Sequence, residues 1–477
     1  MSGDNPVGAQ LRGWDAATFR TAAGDPRMRS TVVALAVLDS TPDWQRLRSR
    51  LERLTHFVPT LRMRPLYGLF GLSAPRLAID PDFDIDVHVH RYRVPEGSGW
   101  SDLLDDVRRM SLTDFDRNRA LWEAVLVEGL PGGESAFALK LHHSIADGQA
   151  TVMMALSLFE LGPDGNPEEP ATPEVPRGED VSVLDIARAN LVDNVERLRG
   201  GAENALRAGG QVLLQALGDP GAAVSVIRQT VESIGQALSV PEAPLSPLWI
   251  DRGTTYHFGA FEFDFAGLKH AAKSRGLSVN DAFMAAVTSG VDRYHERHGA
   301  TAVELRVNVP ISLRGDAGDR SAQASNAVAI ARFELPVHDL DVDERMSAAH
   351  ELVDTWRHAP AMRMADPLAD VSWFVPVPVL AHAAKTSDIT TSNVPGPPIP
   401  LYLAGAKMVA AYPLVATIGA AVNVTMVTYD GSACIGISTD DRCVQDPSEL
   451  IEDLRWGFEL VTGDVVGPAD RYRRFAS

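Results

Sequence analysis

Two cysteines, Cys434 and Cys443, are all that this 477-residue chain contains. So few thiols exclude a disulfide scaffold and a cysteine-based zinc knuckle, and nothing suggests an oxidising compartment. No run of about 18 apolar residues free of charge and proline occurs, so no transmembrane helix is expected. The opening MSGDNPVGAQLRGW has no basic segment followed by an apolar stretch, so no signal peptide is expected and the chain reads as cytosolic. Basic residues are outnumbered, 44 Lys and Arg against 63 Asp and Glu. The net charge of −19 excludes a broad nucleic-acid footprint, which needs clustered cations, and disfavours adsorption to anionic lipid by charge alone. Gly-Lys never occurs, which removes the P-loop, and no G-x-G-x-x-G fingerprint is present. Gly133-Glu134-Ser135-Ala136-Phe137 fails the serine-hydrolase elbow at its last position.

What is present is enough apolar sequence for more than one core. A chain this long predicts two domains and a connector. In residues 1–161, STVVALAVLD (30–39) reads as a buried strand, and Trp44, Leu47, Leu51 and Leu54 follow at helical spacing. FDIDVHVHRYRV alternates like a strand, GWSDLLDDVRRMSL is helical, and LWEAVLVEGL-PGGE-SAFALKLHH reads as a hairpin. Residues 162–180 hold five prolines and no aromatic and read as a solvated linker. Amphipathic helical patterns continue to about Val240, so 162–244 is expected to be linker plus helical crossover. From residue 245 to 477 strands and helices mix again, with Ser278 or Asn280 as N-cap of a long helix.

The hairpin delivers LKLHHSIADGQA, residues 139–150. Adjacent strand side chains point to opposite faces, so His142 and His143 divide into one that serves the framework and one that faces a reactant. A histidine with a free ring nitrogen suits general-base work near neutral pH. Asp147 can tie the following loop by pairing with a buried arginine, and Gly148 permits close approach of backbone or ligand. His88 and His90, at strand spacing, could be imagined with His142, His143 and Asp147 as metal ligands, but ordinary strand histidines account for them better. HERH (295–298) is one residue short of the zinc-protease spacing and reads as the polar face of a helix end.

His142-His143-Ser144-Ile145-Ala146-Asp147-Gly148 resembles the HHxxxDG motif of the CoA-dependent acyltransferase superfamily. Further blocks resemble its bacterial wax ester synthase/diacylglycerol acyltransferase branch, in the same order over roughly residues 10 to 455. Ala120-Leu121-Trp122 stands for its PLW, Asn280-Asp281 for its Asn-Asp segment, and Ser392, Asn393, Pro395 and Gly396 for its SNVPGP. The resemblance implies an α+β fold of two chloramphenicol-acetyltransferase-like domains joined by a helical crossover, with an active-site tunnel between them. It implies an O-acyltransferase that moves a long-chain acyl group from acyl-CoA to diacylglycerol or a long-chain alcohol, with acyl-CoA as co-substrate and no cofactor or metal.

In that reading His143 is the general base, with His142 and Asp147 in the catalytic motif. Gly148 and Arg62 support the site, Arg62 as partner of Asp147 with Arg64 as alternative. Asn280, Asp281, Ser392 and Asn393 shape the tunnel or domain interface. Insoluble products imply a cytoplasmic protein in peripheral contact with membrane or lipid bodies, and the helices of 181–240 are the first candidates for that contact. The chain departs from the family at Ala120 and at APLSPLWIDRG (243–253), which leaves the acceptor-side pocket open. Rival readings are a condensation-type enzyme using a carrier-protein thioester, a non-catalytic lipid-binding protein of the same fold, and a metal hydrolase.

Overall fold

In the computed structural model, residues 7–68, 73–145, 154–193 (except 167, 176 and 179), 241–312, 328–358 and 375–463 are described. The strands in chain order begin with β1 (Ala9–Gln10), β2 (Thr31–Leu38), β3 (Met63–Leu66), β4 (Arg76–Ile79) and β5 (Val89–Arg93). Next come β6 (Trp122–Glu128), β7 (Ser135–His142), β8 (Tyr256–Asp264), β9 (Glu304–Ser312) and β10 (Val328–Pro336). The last are β11 (Ile389–Val394), β12 (Tyr402–Leu403), β13 (Ala406–Val415), β14 (Val422–Tyr429) and β15 (Ser432–Asp440). Helices used below are α1 (Gly13–Gly24), α2 (Trp44–Phe57), α3 (Trp100–Leu112), α4 (Phe265–Ser274), α5 (Val279–Arg297), α6 (Val342–His358), α7 (Val377–Lys385) and α8 (Pro447–Thr462).

Two six-stranded mixed sheets carry the fold. One has the order β12-β13-β2-β7-β6-β5, the other β10-β9-β11-β14-β15-β8. The first is antiparallel except for β5 beside β6, and the second is parallel only where β11 lies against β9 and β14. The expected boundary at 244/245 is crossed by the first sheet, because β12 and β13 come from the C-terminal half and complete the N-terminal sheet. Tyr412 pairs with Leu35 and Val415 with Val32 across the β13–β2 ladder. Met408, Ala410, Tyr412 and Leu414 are buried in the same core as Leu35, Val37, Leu47 and Leu103. A separate core under the second sheet holds Phe261, Phe283, Leu305, Val424, Ile435 and Phe458.

Gly436 on β15 shows how tightly the exchanged strand is held. A Cβ there would sit 1.9 Å from the backbone oxygen of Pro413 on β13, so only glycine lets the two strands meet. Tyr412 adds a hydrogen bond from its hydroxyl to Glu262 on β8 at 2.6 Å.

The expected helix at 44–57 forms with Asp43 as its cap, the carboxylate accepting from the Arg46 N–H. Ser278 caps α5, and Asp281 completes a capping box. Two expectations change. His88 is not on a strand but in a helical turn just before β5, where Ile85–Val87 form one turn of 3-10 helix. Residues 162–166 and 168–173 are largely exposed, as a solvated linker should be, but they do not hang free. α2 presents Arg50, Arg53 and His56 along one face, and these bind Glu169, Thr172 and the Pro170 and Pro173 carbonyls. Helical spacing on α2 thus lays the proline-rich segment along the helix. Residues 194–240, the bulk of the expected crossover, lie outside the described residues; 183–193 are helical.

Candidate active site

β7 is wholly buried and central in the first sheet, and its last residue, His142, is in register with Thr31 of β2. At His143 the chain leaves the strand and turns into a short 3-10 helix, His143–Ile145. The His143 N–H donates to Ser30 O at 2.8 Å, so the backbone at the turn is tied to the start of β2. The Ala416 N–H donates to Thr31 O at 2.9 Å, so chain from the C-terminal half runs beside the same corner.

The two imidazoles sit in different surroundings. His142 is 3% exposed, with the rings of Phe19 and Phe115 at 5.5 and 5.9 Å. Its Nδ1 accepts the Ser144 N–H at 3.2 Å and meets Ser144 Oγ at 2.8 Å, which places the proton on Nε2. That Nε2 is buried without a hydrogen-bond partner. Burial, together with the nearby Arg117 and His143, pushes the His142 pKa down to about 3. His143 is exposed, yet enough protein surrounds it that desolvation still lowers its pKa. The ring is both reachable and desolvated, and it is uncharged at neutral pH. An uncharged imidazole has one nitrogen without a proton, which is the chemistry a general base needs.

Arg117 is the residue that reading the sequence missed. Its guanidinium lies 4.6 Å over the Phe19 ring and interacts with the Tyr67 hydroxyl, in the same cage that holds His142. The signal was its place in DRNRALW, three residues before the start of the Ala-Leu-Trp block.

Trp122, Arg62 and His88 come together as a stack rather than as a reactive set. His88 lies 4.8 Å from Trp122 and 5.4 Å from Phe83, and Arg62 covers Phe83 at 4.8 Å. The Trp122 indole donates to Leu61 O at 2.7 Å, and His88 Nδ1 donates to Trp122 O at 2.8 Å. Arg62 also binds Glu52, and it donates to Thr55 Oγ1 at 2.7 Å. Arg64 faces Asp80 at 3.6 Å. His90 is exposed on β5, apart from this stack, so His88 and His90 do not share a face as strand spacing suggested. Asp147 and Gly148 lie outside the described residues.

The remaining candidates are spread over the second half. Asp281 is buried, accepting from the Ser278 N–H at 2.8 Å and meeting His350 Nδ1 at 3.0 Å, all within that half. Asn280 is half-buried with its amide against the Met284 sulfur. Ser392 and Asn393 lie half-buried on β11, paired with Thr425 and Met426 of β14. Gly396 follows them where a Cβ would stand 1.9 Å from Thr428 O.

HERH is corrected. His295 is completely buried, its Nε2 2.8 Å from Ser246 Oγ and its Nδ1 2.8 Å from Val291 O. The divergent segment 243–253 supplies that Ser246, and Arg252 from the same segment donates to the carbonyls of Gly419, Trp249 and Ser387. Its polar residues are spent on anchoring the second half.

An accessible, uncharged imidazole at the end of a central strand defines a site for moving a proton. Residues 11–283 match the wax ester synthase/diacylglycerol acyltransferase catalytic domain, and 324–462 match the C-terminal domain of the same family. A Mycobacterium tuberculosis protein with the provisional name diacylglycerol O-acyltransferase is 32% identical over 450 residues, covering 94% of this chain and 90% of its own. The solved wax ester synthase/diacylglycerol acyltransferase of Marinobacter aquaeolei is similar in fold at a TM-score of 0.61 and 20% identity, over 96% of this chain and 100% of that one. A starter condensation domain of rhizomide synthetase, solved in complex with C8-CoA, shares the fold at a TM-score of 0.58 and 12% identity, over 96% of each chain. The chain belongs to the wax ester synthase/diacylglycerol acyltransferase family and is an acyltransferase. Its mixed α and β architecture is the two-domain one the resemblance implied.

Proposed function

We propose that this enzyme moves a long-chain acyl group from acyl-CoA to the hydroxyl of diacylglycerol or of a long-chain alcohol, with His143 as general base. The observation that carries the assignment is the contrast between the two histidines: His143 is exposed and uncharged, while His142 is sealed in an aromatic cage.

His143 takes the proton from the acceptor hydroxyl as its oxygen attacks the thioester carbonyl carbon. The tetrahedral intermediate collapses with cleavage of the carbon–sulfur bond. The imidazolium returns the proton to the leaving thiolate, giving free CoA and the ester. No acyl-enzyme is needed, because the thioester is already activated. Asp147, braced by Arg62, would fix the loop behind the base, and Gly148 would leave room beside it. Asn280, Asp281, Ser392 and Asn393 would shape the walls between the halves.

The lipid products suit peripheral contact of a cytoplasmic enzyme with a membrane or lipid body. No helix among the described residues is long and apolar enough to cross a membrane. Helical residues 183–193 expose Val183, Leu184, Leu191 and Val192, which supports contact there.

Purified protein is incubated with palmitoyl-CoA and either hexadecanol, diolein or no acceptor, following thiol release and ester products, with His143→Ala in parallel. Acceptor-dependent ester formation that collapses in the variant is expected. Thiol release that ignores the acceptor would sink the transfer reading.

A further inference from the structure

Away from the histidine pair, a cavity of about 450 Å³ opens between α5, the start of α6 and α8. None of its lining residues has a part in the acyl transfer described above. Asp292 and Glu296, one turn apart, present their carboxylates from the same face of α5. His338 reaches them from the turn between β10 and α6. Its Nδ1 lies 3.4 Å from Asp292 Oδ1 and 4.0 Å from Glu296 Oε1, and one atom from each of the three falls within 4.8 Å of the others. The next residue, Asp339, has φ of 58°, so the turn that presents His338 is a defined left-handed one.

A second observation points to a ligand. Ser289, one turn before Asp292, is 2% exposed and lines the same cavity, and its hydroxyl has no hydrogen-bond partner. A buried hydroxyl left unsatisfied is unfavourable, and a metal-bound water in the cavity would relieve it. Arg345 donates to Asp292 Oδ2 at 2.6 Å, which orients the carboxylate and turns Oδ1 toward His338. The neighbouring cation, Arg293, is turned to Asp453 at 3.1 Å and over the Trp456 ring.

We propose that Asp292, Glu296 and His338 bind a divalent transition-metal ion of the zinc class, with water in the open position beside Ser289. One imidazole nitrogen and two carboxylates are zinc ligands, whereas magnesium prefers an all-oxygen octahedron. Bonds of about 2.0–2.1 Å place tetrahedral ligand atoms roughly 3.3 Å apart, so the site needs only a small closure of the exposed Glu296 side chain. The ion would clamp α5 to the turn before α6.

Full-length protein, freed of any affinity tag and stripped with chelator, is titrated with ZnCl₂ by calorimetry and with CoCl₂ by visible absorption. One Zn²⁺ per chain is expected, with affinity falling at least tenfold in Glu296→Gln and in His338→Ala, and with four-coordinate cobalt bands that vanish in His338→Ala. Ser289→Ala should weaken binding less, keeping the stoichiometry. The proposal is overturned if wild type takes up no zinc. It is equally overturned if a Glu296→Gln/His338→Ala double variant, folded by circular dichroism, binds zinc as wild type does.

Discussion

The backbone N–H of Ser144 points at Nδ1 of His142, 3.2 Å away, and so decides which nitrogen of the first histidine stays bare. The proton is left on Nε2, inside the cage of Phe19 and Phe115. His142 is thereby sealed with its acceptor nitrogen already engaged, while the neighbouring His143 is exposed.

Because burial lowers the pKa of His143, the ring stays uncharged below the usual imidazole range near 6.5. The acid limb of kcat/KM should therefore fall with a midpoint below 6.5, as the base becomes protonated and useless. A pH–rate profile checks this. A midpoint above 6.5 would mean the ring is charged more readily than the fold implies.

His142 links stability to pH with a definite sign. Its folded pKa of about 3 lies below the unfolded value of 6.5, so its contribution is whole above 6.5 and is lost as the pH falls toward 3. The full effect is on the order of 5 kcal/mol by linkage. Denaturant titrations between pH 7 and 4 should show a slope that is smaller in His142→Gln.

Arg50 and Glu160 form a buried pair at 2.9 Å, and Arg50 also donates to the Leu158 and Ser157 carbonyls. Each keeps a second ionic partner when the other is removed, Glu160 the Arg46 guanidinium at 2.7 Å and Arg50 the Glu169 carboxylate at 2.7 Å, so the cost is about 1–3 kcal/mol and falls short of that of an isolated buried pair. Glu160→Gln should sit at the low end, because Arg50 keeps its backbone partners, and Arg50→Ala at the high end. Chemical denaturation gives both values.

At Gly436 an added methyl would have to displace the backbone of Pro413. Gly436→Ala is expected to lose about 2 kcal/mol or more, by the cost of overpacking. Differential scanning calorimetry would register this as a lowered Tm; an unchanged Tm would mean that β13 and β15 can separate freely.

Charging the exposed apolar face of residues 183–193 tests lipid contact. Leu184→Glu with Leu191→Glu should reduce co-sedimentation with phosphatidylcholine vesicles severalfold while leaving turnover of a short-chain soluble alcohol in place. Equal sedimentation would remove that face from consideration.

Much of this was legible along the chain. Apolar periodicity marked β2, α2, α3 and α5, because each element buries one face and its pattern is local. Strand alternation suggested that the two histidines divide, but His143 leaves the strand for a 3-10 turn, so which ring is sealed was not legible. His88 and HERH were not legible. Whether a histidine is stacked between Phe83 and Trp122, or sealed against Ser246, depends on residues tens to hundreds of positions away.

The sequence by itself determined the local elements, a long helix capped by Ser278 or Asn280, and a motif whose residue types suit proton transfer, since spacing and side-chain chemistry are written in order. Only the tertiary structure decided that β13 would close the N-terminal sheet, that α2 would hold the proline-rich segment, and that His142 would be sealed while His143 stays open. Those outcomes turn on burial and long-range pairing, where the free energy of a side chain is set by neighbours the linear order does not name.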